Sequence, residues 1–192
     1  MDVMTAILTR RSEQRLDAPA PGDAEFTYLL QGAVTAPDHG RLRPWRWVLL
    51  RGEDREVLGD CLAADAADLP GDQVRAKLLR APLVALLVLS PRESGRIPEW
   101  EQLAAASCMT HALMLLLHSR GYGSIWRTGR LARSTAVADL LGLQPHERLL
   151  GSLDIGSPIL AAPRERRPLD DVTGLITRFD AVRTAAPAGA AA

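Results

Sequence analysis

A long helix predicted over residues 98–120 places the strictest limit on the architecture. Apolar side chains cover most of its circumference, among them Leu103, Ala106, Met109, Leu113 and Leu117. A helix that is apolar nearly all round has to be covered by a core or by a large interface. At ~1.5 Å per residue it spans ~30 Å, the size of a small domain. The sequence therefore predicts that this helix is the spine of the fold, and that a lone chain would expose part of it.

The patterns around this helix favour an α+β fold. An apolar run at residues 82–90 is typical of a central strand that is covered on both faces. Helices and strands follow each other without the strict alternation of an α/β protein. The other predicted helices are residues 2–11, a helix capped by Asp23 and ended by Pro37, and residues 54–65, 72–79 and 134–141; the other predicted strands are residues 45–50, 122–126 and 146–155.

The chain of 192 residues fits one domain, predicted over residues 1–184. Residues 185–192 are of low complexity and are predicted to be a disordered tail. Residues 172–179 are amphipathic, which leaves a helix and a terminal strand as alternatives. Three arginines precede this segment, and they either bind a cofactor phosphate or are solvated tail charges: Arg164, Arg166 and Arg167.

Composition excludes several classes of partner. Acidic and basic residues balance at 23 each, so no basic excess indicates nucleic acid or an anionic membrane. The two cysteines, Cys61 and Cys108, have no metal-like spacing and make no disulfide framework, and Cys108 is expected to be a buried, inert thiol. No secretory signal opens the chain and no apolar run is long enough to span a bilayer. We therefore expect a cytoplasmic protein without a metal site.

The first candidate cluster is Arg10-Arg11-Ser12, at the end of the first predicted helix. Two guanidinium groups form a fork-shaped cradle for a phosphate, and the hydroxyl offers a hydrogen bond to a sugar chain. The alternative is a solvated helix end whose cations suit the helix dipole.

The second candidate cluster is the loop of residues 36–45, which carries His39, Arg41 and Arg43 between a helix and a strand. Loops on a rigid scaffold commonly carry binding groups. The alternative for His39 is an ordinary surface histidine.

The third candidate cluster is residues 121–129, where a predicted strand ends in Trp126, Arg127 and Thr128. Backbone amides and an indole wall suit a planar ligand. The Gly-x-Gly here follows a helix and precedes a strand, the reverse of the dinucleotide-binding fingerprint, so Gly121 is interpreted as a helix cap.

Other chemically active residues are interpreted as structural. His111 and His118 lie two turns apart on the long helix, beyond the usual spacing of a metal pair, and are expected to be packing residues. Glu99 and Glu101 suit the N-terminal dipole of that helix.

The order of these clusters resembles the nitroreductase-like flavoprotein family, in particular its small bacterial NAD(P)H nitroreductase members with a Pro-Asp-His loop. The resemblance covers residues 1–158. Arg10-Arg11-Ser12 resembles the contact of the family with the FMN phosphate and ribityl chain. Residues 36–45, from Ala-Pro to Pro-Trp, resemble the second FMN loop. Residues 125–129, Ile-Trp-Arg-Thr-Gly, resemble the segment along the isoalloxazine, and residues 153–158 the strand and turn that close the core.

The resemblance implies a mixed, mainly antiparallel central sheet flanked by helices. It also implies an intertwined homodimer with FMN at the interface, each site being built from both chains. The implied activity is that of an FMN-dependent NAD(P)H oxidoreductase, a ping-pong enzyme that uses NADH or NADPH to reduce nitroaromatic, quinone or enone-like acceptors through FMN N5.

The same resemblance implies individual roles. The FMN-binding residues would be Arg10, Arg11, Ser12, Thr35, His39, Trp126, Arg127 and Thr128. His39 would reach across the dimer interface. Arg41 and Arg43, with Arg15 as a third candidate, would stabilise negative charge at N1 and O2 of the reduced flavin. The sequence departs from the family at Thr35, where close relatives have a longer side chain, and in the charged character of the second loop.

Two other functions stay open at the level of sequence. A flavin-binding carrier or sensor without turnover would bind FMN that NAD(P)H does not reduce. A dimeric scaffold without a cofactor would leave these arginines on the surface.

Overall fold

The computed structural model describes residues 1–65, 70–159 and 164–179. The helices are α1 (Val3–Thr9), α2 (Asp23–Ala33), α3 (Asp54–Ala64), α4 (Gly71–Leu78), α5 (Glu99–Ser119) and α6 (Thr135–Leu140). The strands are β1 (Leu16–Asp17), β2 (Trp45–Leu50), β3 (Leu83–Leu89), β4 (Gly123–Arg127) and β5 (Arg148–Pro158). Among these residues, no helix combines the length and the apolarity that a membrane crossing requires.

Strand β3 explains why the most apolar run of the sequence is continuous. All seven of its residues are buried. Alternate side chains enter two separate cores: Leu83, Ala85 and Leu87 face α2 and α5, whereas Val84, Leu86 and Val88 face α3 and α4. The sheet is therefore the middle of three layers, and the predicted α+β class with helices on both faces is confirmed.

The described part of the sheet has the strand order β1-β5-β3-β2, with β4 paired to β5. The four strand pairs are antiparallel, and Ser12 and Ser124 form one isolated parallel bridge. Strand β2 therefore lies at one edge of the sheet and β4 at the other. Two strands separate them, which at ~4.8 Å per strand spacing places them ~14 Å apart.

Gly151 sets the position of the end of β4. The register between β3 and β5 shifts at this point, and Gly151 has φ +125°, a conformation that side chains rarely adopt. A Cβ atom here would overlap the carbonyl oxygen of Arg127. The bulge thus lets the backbone of β4 approach β5 closely just before Thr128.

Local details differ from the sequence predictions at several places. The first helix ends at Thr9 rather than residue 11, so Arg10 is its C-cap, and α2 ends at Ala33, before Pro37. Asp23 is the first residue of α2 and Gly22 is its cap; the carboxylate of Asp23 accepts a hydrogen bond from Arg51 instead. Strand β5 continues to Pro158, because Leu16 and Asp17 of β1 extend the ladder. Residues 172–179 form neither a helix nor a strand, only a 3₁₀ turn at Thr173–Leu175. The predicted disordered tail, residues 185–192, lies outside the described residues.

Helix α5 is apolar on every side but buried on only part of its surface. Its core-facing residues include Ala106, Met109, Leu113 and Leu117. Cys108 is exposed, which corrects the prediction of a buried thiol. His111 is also exposed, so it is not a packing residue in this chain. Both side chains lie on the face of α5 that points away from the core.

Candidate functional site

Strand β4 connects two of the three predicted clusters. At its beginning, Ser12 pairs with Ser124, and the backbone N–H of Glu13 donates to the carbonyl of Ser124 at 3.1 Å. At its end lie Trp126 and Arg127. The Arg10-Arg11-Ser12 cluster and the Trp126-Arg127-Thr128 cluster therefore lie at opposite ends of one edge strand.

A pocket of ≈ 370 Å³ lies at the beginning of β4, and Arg10, Arg11, Glu13 and Arg164 line it. The Arg10 Nη1 atom is buried and has no hydrogen-bond partner among the described residues. The pKa of Arg10 is lowered, first by burial and then by the charges of Arg167 and Arg11. A buried donor beside like charges is costly unless an anion balances it, so this pocket is suited to an anionic group.

Arg11 has a different role from Arg10. Its guanidinium donates to the carbonyls of Leu8 at 2.7 Å, Arg10 at 3.0 Å and Glu165 at 2.9 Å. These bonds satisfy the C-terminal end of α1 and tie the C-terminal segment to it. Arg11 thus shapes the pocket that Arg10 enters.

The C-terminal arginines divide into distinct positions. Arg164 donates to both carboxylate oxygens of Glu13, at 3.1 and 2.6 Å. Glu13 is 8% exposed, so this bidentate pair closes one wall of the pocket. The backbone N–H of Arg167 donates to the Leu8 carbonyl, and its charge acts on Arg10. Arg164 is therefore a component of this pocket, and Arg167 lies near enough for its charge to act on Arg10.

His118 closes another wall of the same pocket. Its Nε2 atom lies 2.7 Å from the Thr9 hydroxyl, and that hydroxyl donates its hydrogen to the Thr5 carbonyl. Nε2 must therefore carry the hydrogen in the contact with Thr9. Burial and the nearby Arg10 lower the pKa of His118, so the neutral ring does not add to the charge of the pocket.

A second pocket, of ≈ 460 Å³, lies at the end of β4. Its lining includes Trp126, Arg127 and Thr128, together with Lys77, Arg80 and Arg130. The remaining wall is mostly apolar, formed by Leu62, Val74, Leu78, Ile125 and Leu131. The Trp126 Nε1 atom is buried without a partner among the described residues. The Trp126 indole, however, packs against the core between the sheet and α2 and α5, whereas Leu62, Val74 and Leu78 belong to the core on the other face of the sheet. The pocket therefore combines apolar side chains with positive charge, which suits a planar, electron-accepting ring.

Arg127 is held by a buried carboxylate. Its Nε donates to Asp154 Oδ2 at 2.6 Å, and the Ser152 hydroxyl donates to the other oxygen at 3.3 Å. Asp154 is 2% exposed. Burial raises the pKa of Asp154 even though Arg127 opposes that shift. The ion pair positions the arginine at the rim of the second pocket.

A third pocket, of ≈ 500 Å³, carries the remaining predicted residues on the far side of the molecule: Thr35, Arg41 and Arg43 line it. Arg41 and Arg43 have φ values of +53° and +47°, a conformation that costs non-glycine residues free energy. Asp38 holds the loop by accepting a hydrogen bond from the backbone N–H of Arg43 at 2.8 Å.

The third pocket adjoins β2, at the opposite sheet edge from β4, and shares no lining residue with the other two pockets. The fold of one chain therefore brings the first and third sequence clusters to opposite ends of β4 but leaves His39 and its loop elsewhere. Arg15 lines none of these three pockets.

The sequence analysis did not identify Glu13, Lys77 and Arg80 as site residues. It interpreted Glu101 only as a carboxylate that suits the N-terminal dipole of the long helix. Lys77 and Arg80 carry no recognisable motif, because their place opposite β4 depends on how α4 packs against the sheet. Glu101 accepts a hydrogen bond from His39, with 2.8 Å between Oε2 and Nδ1. Such a pair, 62 residues apart in sequence, leaves no local signal.

A sequence model of the nitroreductase family matches residues 7–157. The chain belongs to the nitroreductase family. Among curated proteins, "Putative NAD(P)H nitroreductase YdjA" of Escherichia coli (strain K12) is 33% identical over 184 residues, which cover 93% of this chain and 100% of that protein. A relative from Haemophilus influenzae with the same functional name is 31% identical over 176 residues, covering 88% of this chain and 96% of its own.

Solved structures confirm the nitroreductase fold. A nitroreductase-like family protein from Bacillus cereus has a TM-score of 0.79 at 24% identity, covering 94% of this chain and 97% of that one. An FMN- and NADPH-dependent nitroreductase, NfnB from sphigopyxis sp. strain HMH, has a TM-score of 0.74 at 20% identity, covering 94% and 100%. At these identities the comparison establishes a shared fold.

Proposed function

We propose that this nitroreductase-family chain is an FMN-dependent NAD(P)H oxidoreductase. The observation that carries the proposal is the buried, unpartnered Arg10 Nη1 atom, in a pocket at the beginning of β4 that is suited to an anionic group. FMN has an anionic phosphate at one end and a planar ring at the other, and the residues at the two ends of β4 fit those two groups. The relatives with 33% and 31% identity are named as NAD(P)H nitroreductases, which supports the same activity.

Each residue has a defined role in this proposal. Arg10 binds the phosphate, with Arg11 and Arg164 shaping the pocket around it. Ser12, exposed beside Ser124, bonds the ribityl chain. Trp126, Arg127 and Thr128 line the ring site. The carboxylate of Asp154 keeps Arg127 at that position.

We propose that a second copy of the chain completes the site. His39 and Thr35 lie at the opposite sheet edge from β4, so one chain does not bring them to its own pair of pockets. The exposed face of α5, with Leu103, Cys108 and His111, offers a contact surface to the second copy. The C-terminal segment adds exposed apolar side chains at Leu175 and Phe179, which are 84% and 85% exposed. Burial of such surface on dimerisation is favourable.

Bound FMN supplies the redox chemistry, accepting electrons from NADH or NADPH and passing them to a nitroaromatic, quinone or enone-like acceptor in a ping-pong sequence. The chain positions the reactants, excludes water with the apolar wall of the second pocket, and supplies positive charge. We propose Lys77 and Arg80 as that charge, because they line the same pocket as Arg127 and Thr128. Arg41 and Arg43 of the second copy, on the loop that completes the site, are the alternative. Water supplies the protons.

Lys77→Gln is expected to lower the two-electron midpoint potential of bound FMN by about 30 mV, equivalent to about 1.4 kcal/mol. Loss of a nearby positive charge disfavours the more negative, reduced state of the ring. A spectroelectrochemical titration with reference dyes measures the potential. Arg41→Gln is the matched comparison. A lower midpoint potential for Arg41→Gln, with an unchanged potential for Lys77→Gln, would assign the stabilisation of reduced FMN to the loop of residues 36–45.

The proposed function is tested by the visible absorption spectrum of the purified protein, reconstituted with FMN and titrated anaerobically with NADH and NADPH. We expect flavin bands that bleach with a nicotinamide and return when a nitroarene or quinone is added. Bands that persist under excess NADH and NADPH would instead support a carrier or sensor. A protein that takes up no FMN would contradict the cofactor assignment.

A further inference from the structure

Glu101 forms a hydrogen bond to which the proposed FMN site assigns no role. It lies in the first turn of α5, and its Oε2 atom is 2.8 Å from Nδ1 of His39. The His39 side chain is 65% exposed and that of Glu101 is 28% exposed. Ion pairs this exposed stabilise a fold only weakly, so stability alone does not explain the arrangement.

The hydrogen bond fixes which nitrogen of His39 carries a hydrogen. An ionised carboxylate only accepts hydrogen bonds, so Nδ1 must be the donor. Nε2 lies on the opposite edge of the ring and has no hydrogen-bond partner among the described residues. Glu101 therefore holds the imidazole with Nε2 exposed, ready to face a ligand.

The backbone around His39 is also held in place. Gly40 has φ +71°, and Arg41 and Arg43 also have positive φ. A Cβ atom at residue 40 would approach Ile97 closely, so the loop is seated against the residues that lead into α5. Asp38 closes the loop through the backbone N–H of Arg43. Strain that surrounding contacts maintain is typical of a functional segment.

We propose that Glu101 is a positioning residue for cofactor binding: it orients His39 so that Nε2 contacts the ribityl-phosphate chain of FMN bound to a second copy of the chain. This inference rests on the proposed function. With a phosphate on the far side, a protonated imidazole bridges two anions, the carboxylate and the phosphate, through charge-assisted hydrogen bonds. Glu101 then acts on the cofactor only through His39.

The experiment compares FMN dissociation constants of the full-length protein, measured by flavin fluorescence, for Glu101→Gln and Glu101→Leu. The Leu variant removes both the charge and the acceptor, and we expect about 5- to 10-fold weaker binding. The Gln variant keeps an acceptor oxygen and should lose less. Glu99→Leu is the matched control, since Glu99 lies in the same turn but pairs with Arg148; its FMN affinity should equal that of wild type.

A double-mutant cycle tests whether the effect passes through His39. In a His39→Ala background, Glu101→Leu should have no further effect on FMN affinity. A second readout is the ¹⁵N spectrum of the imidazoles in the cofactor-free protein, which has four histidines. The wild type should show His39 with a protonated Nδ1, and Glu101→Leu should lose that signature.

The outcomes separate this inference from the proposed function. If wild type binds FMN and Glu101→Leu binds it as tightly as Glu99→Leu does, the inference is overturned and the proposed function stands. An equal loss in the His39→Ala background also overturns it, because the effect would not run through His39. If wild type itself binds no FMN, the proposed function fails and the inference falls with it.

Discussion

Arg127→Ala is expected to destabilise the folded chain by about 3–5 kcal/mol at neutral pH, because it leaves the carboxylate of Asp154 buried without its partner. Asp154 is 2% exposed, and besides Arg127 it has a hydrogen bond from Ser152 at 3.3 Å and the charge of Arg80 nearby. Urea unfolding followed by circular dichroism measures the change. Arg133→Ala, at an exposed arginine in the same region, is the control and should change stability little.

The double variant Arg127→Leu/Asp154→Leu separates ion-pair loss from a packing effect. Replacement of both charges with apolar side chains removes the buried carboxylate, so most of the stability should return. If the double variant were as unstable as Arg127→Ala, the energetic role assigned to the buried carboxylate would be wrong.

The free energy of unfolding of Arg127→Ala should also fall as pH rises. Burial raises the pKa of Asp154 above its ordinary value already in the wild type, and loss of Arg127 removes a contact that lowers it. The folded state therefore binds the proton more tightly than the unfolded state does. The variant should be most stable below the ordinary aspartate pKa and should lose stability as pH rises through the raised value. Unfolding midpoints that rise with pH over this window would contradict the assignment.

Arg10→Ala is expected to weaken FMN binding about 10- to 100-fold, the range for loss of a charge-assisted hydrogen bond to a buried anion. Arg10 is the arginine of the first pocket with a buried, unpartnered nitrogen, whereas Arg11 and Arg164 are already bonded within the chain. Flavin fluorescence on titration of the cofactor-free protein measures the dissociation constant. Arg166→Ala, at an exposed arginine of the C-terminal segment, is the matched control.

Riboflavin distinguishes a phosphate contact from damage to the site, since it has the same ring and ribityl chain without the phosphate. Riboflavin affinity should be nearly equal in wild type and Arg10→Ala. The cofactor-free variant should be at least as stable as wild type, because the change removes a buried donor that lies beside like charges. Equal losses for FMN and riboflavin would show that Arg10 supports the ring site or the fold, and unchanged FMN affinity would remove it from the phosphate site.

Elements with strong local periodicity were predictable from sequence alone. The strand at residues 45–50 is confirmed at the same bounds, and the apolar run at 82–90 forms β3 within one residue at each end. The long helix begins and ends within one residue of its prediction. These elements depend on side-chain periodicity and on proline or glycine boundaries, which neighbouring residues determine together. The family was also recognisable, because the three clusters are short contiguous segments whose order matches it; their roles in cofactor binding stay predictions.

The tertiary structure decided how the clusters are placed relative to one another and which charged residues lie beside them. Asp154 reaches Arg127, Glu13 reaches Arg164, and Lys77 lines the same pocket as Thr128 only because distant segments pack together, and no local pattern encodes those distances. Cys108 and His111 share the apolar helix with buried neighbours, yet the register of that helix on the sheet leaves them outside. The amino-acid order determined the elements and the chemistry that each carries. The packing of β4 on β5, which Gly151 permits, decided that two of those clusters lie at opposite ends of one strand.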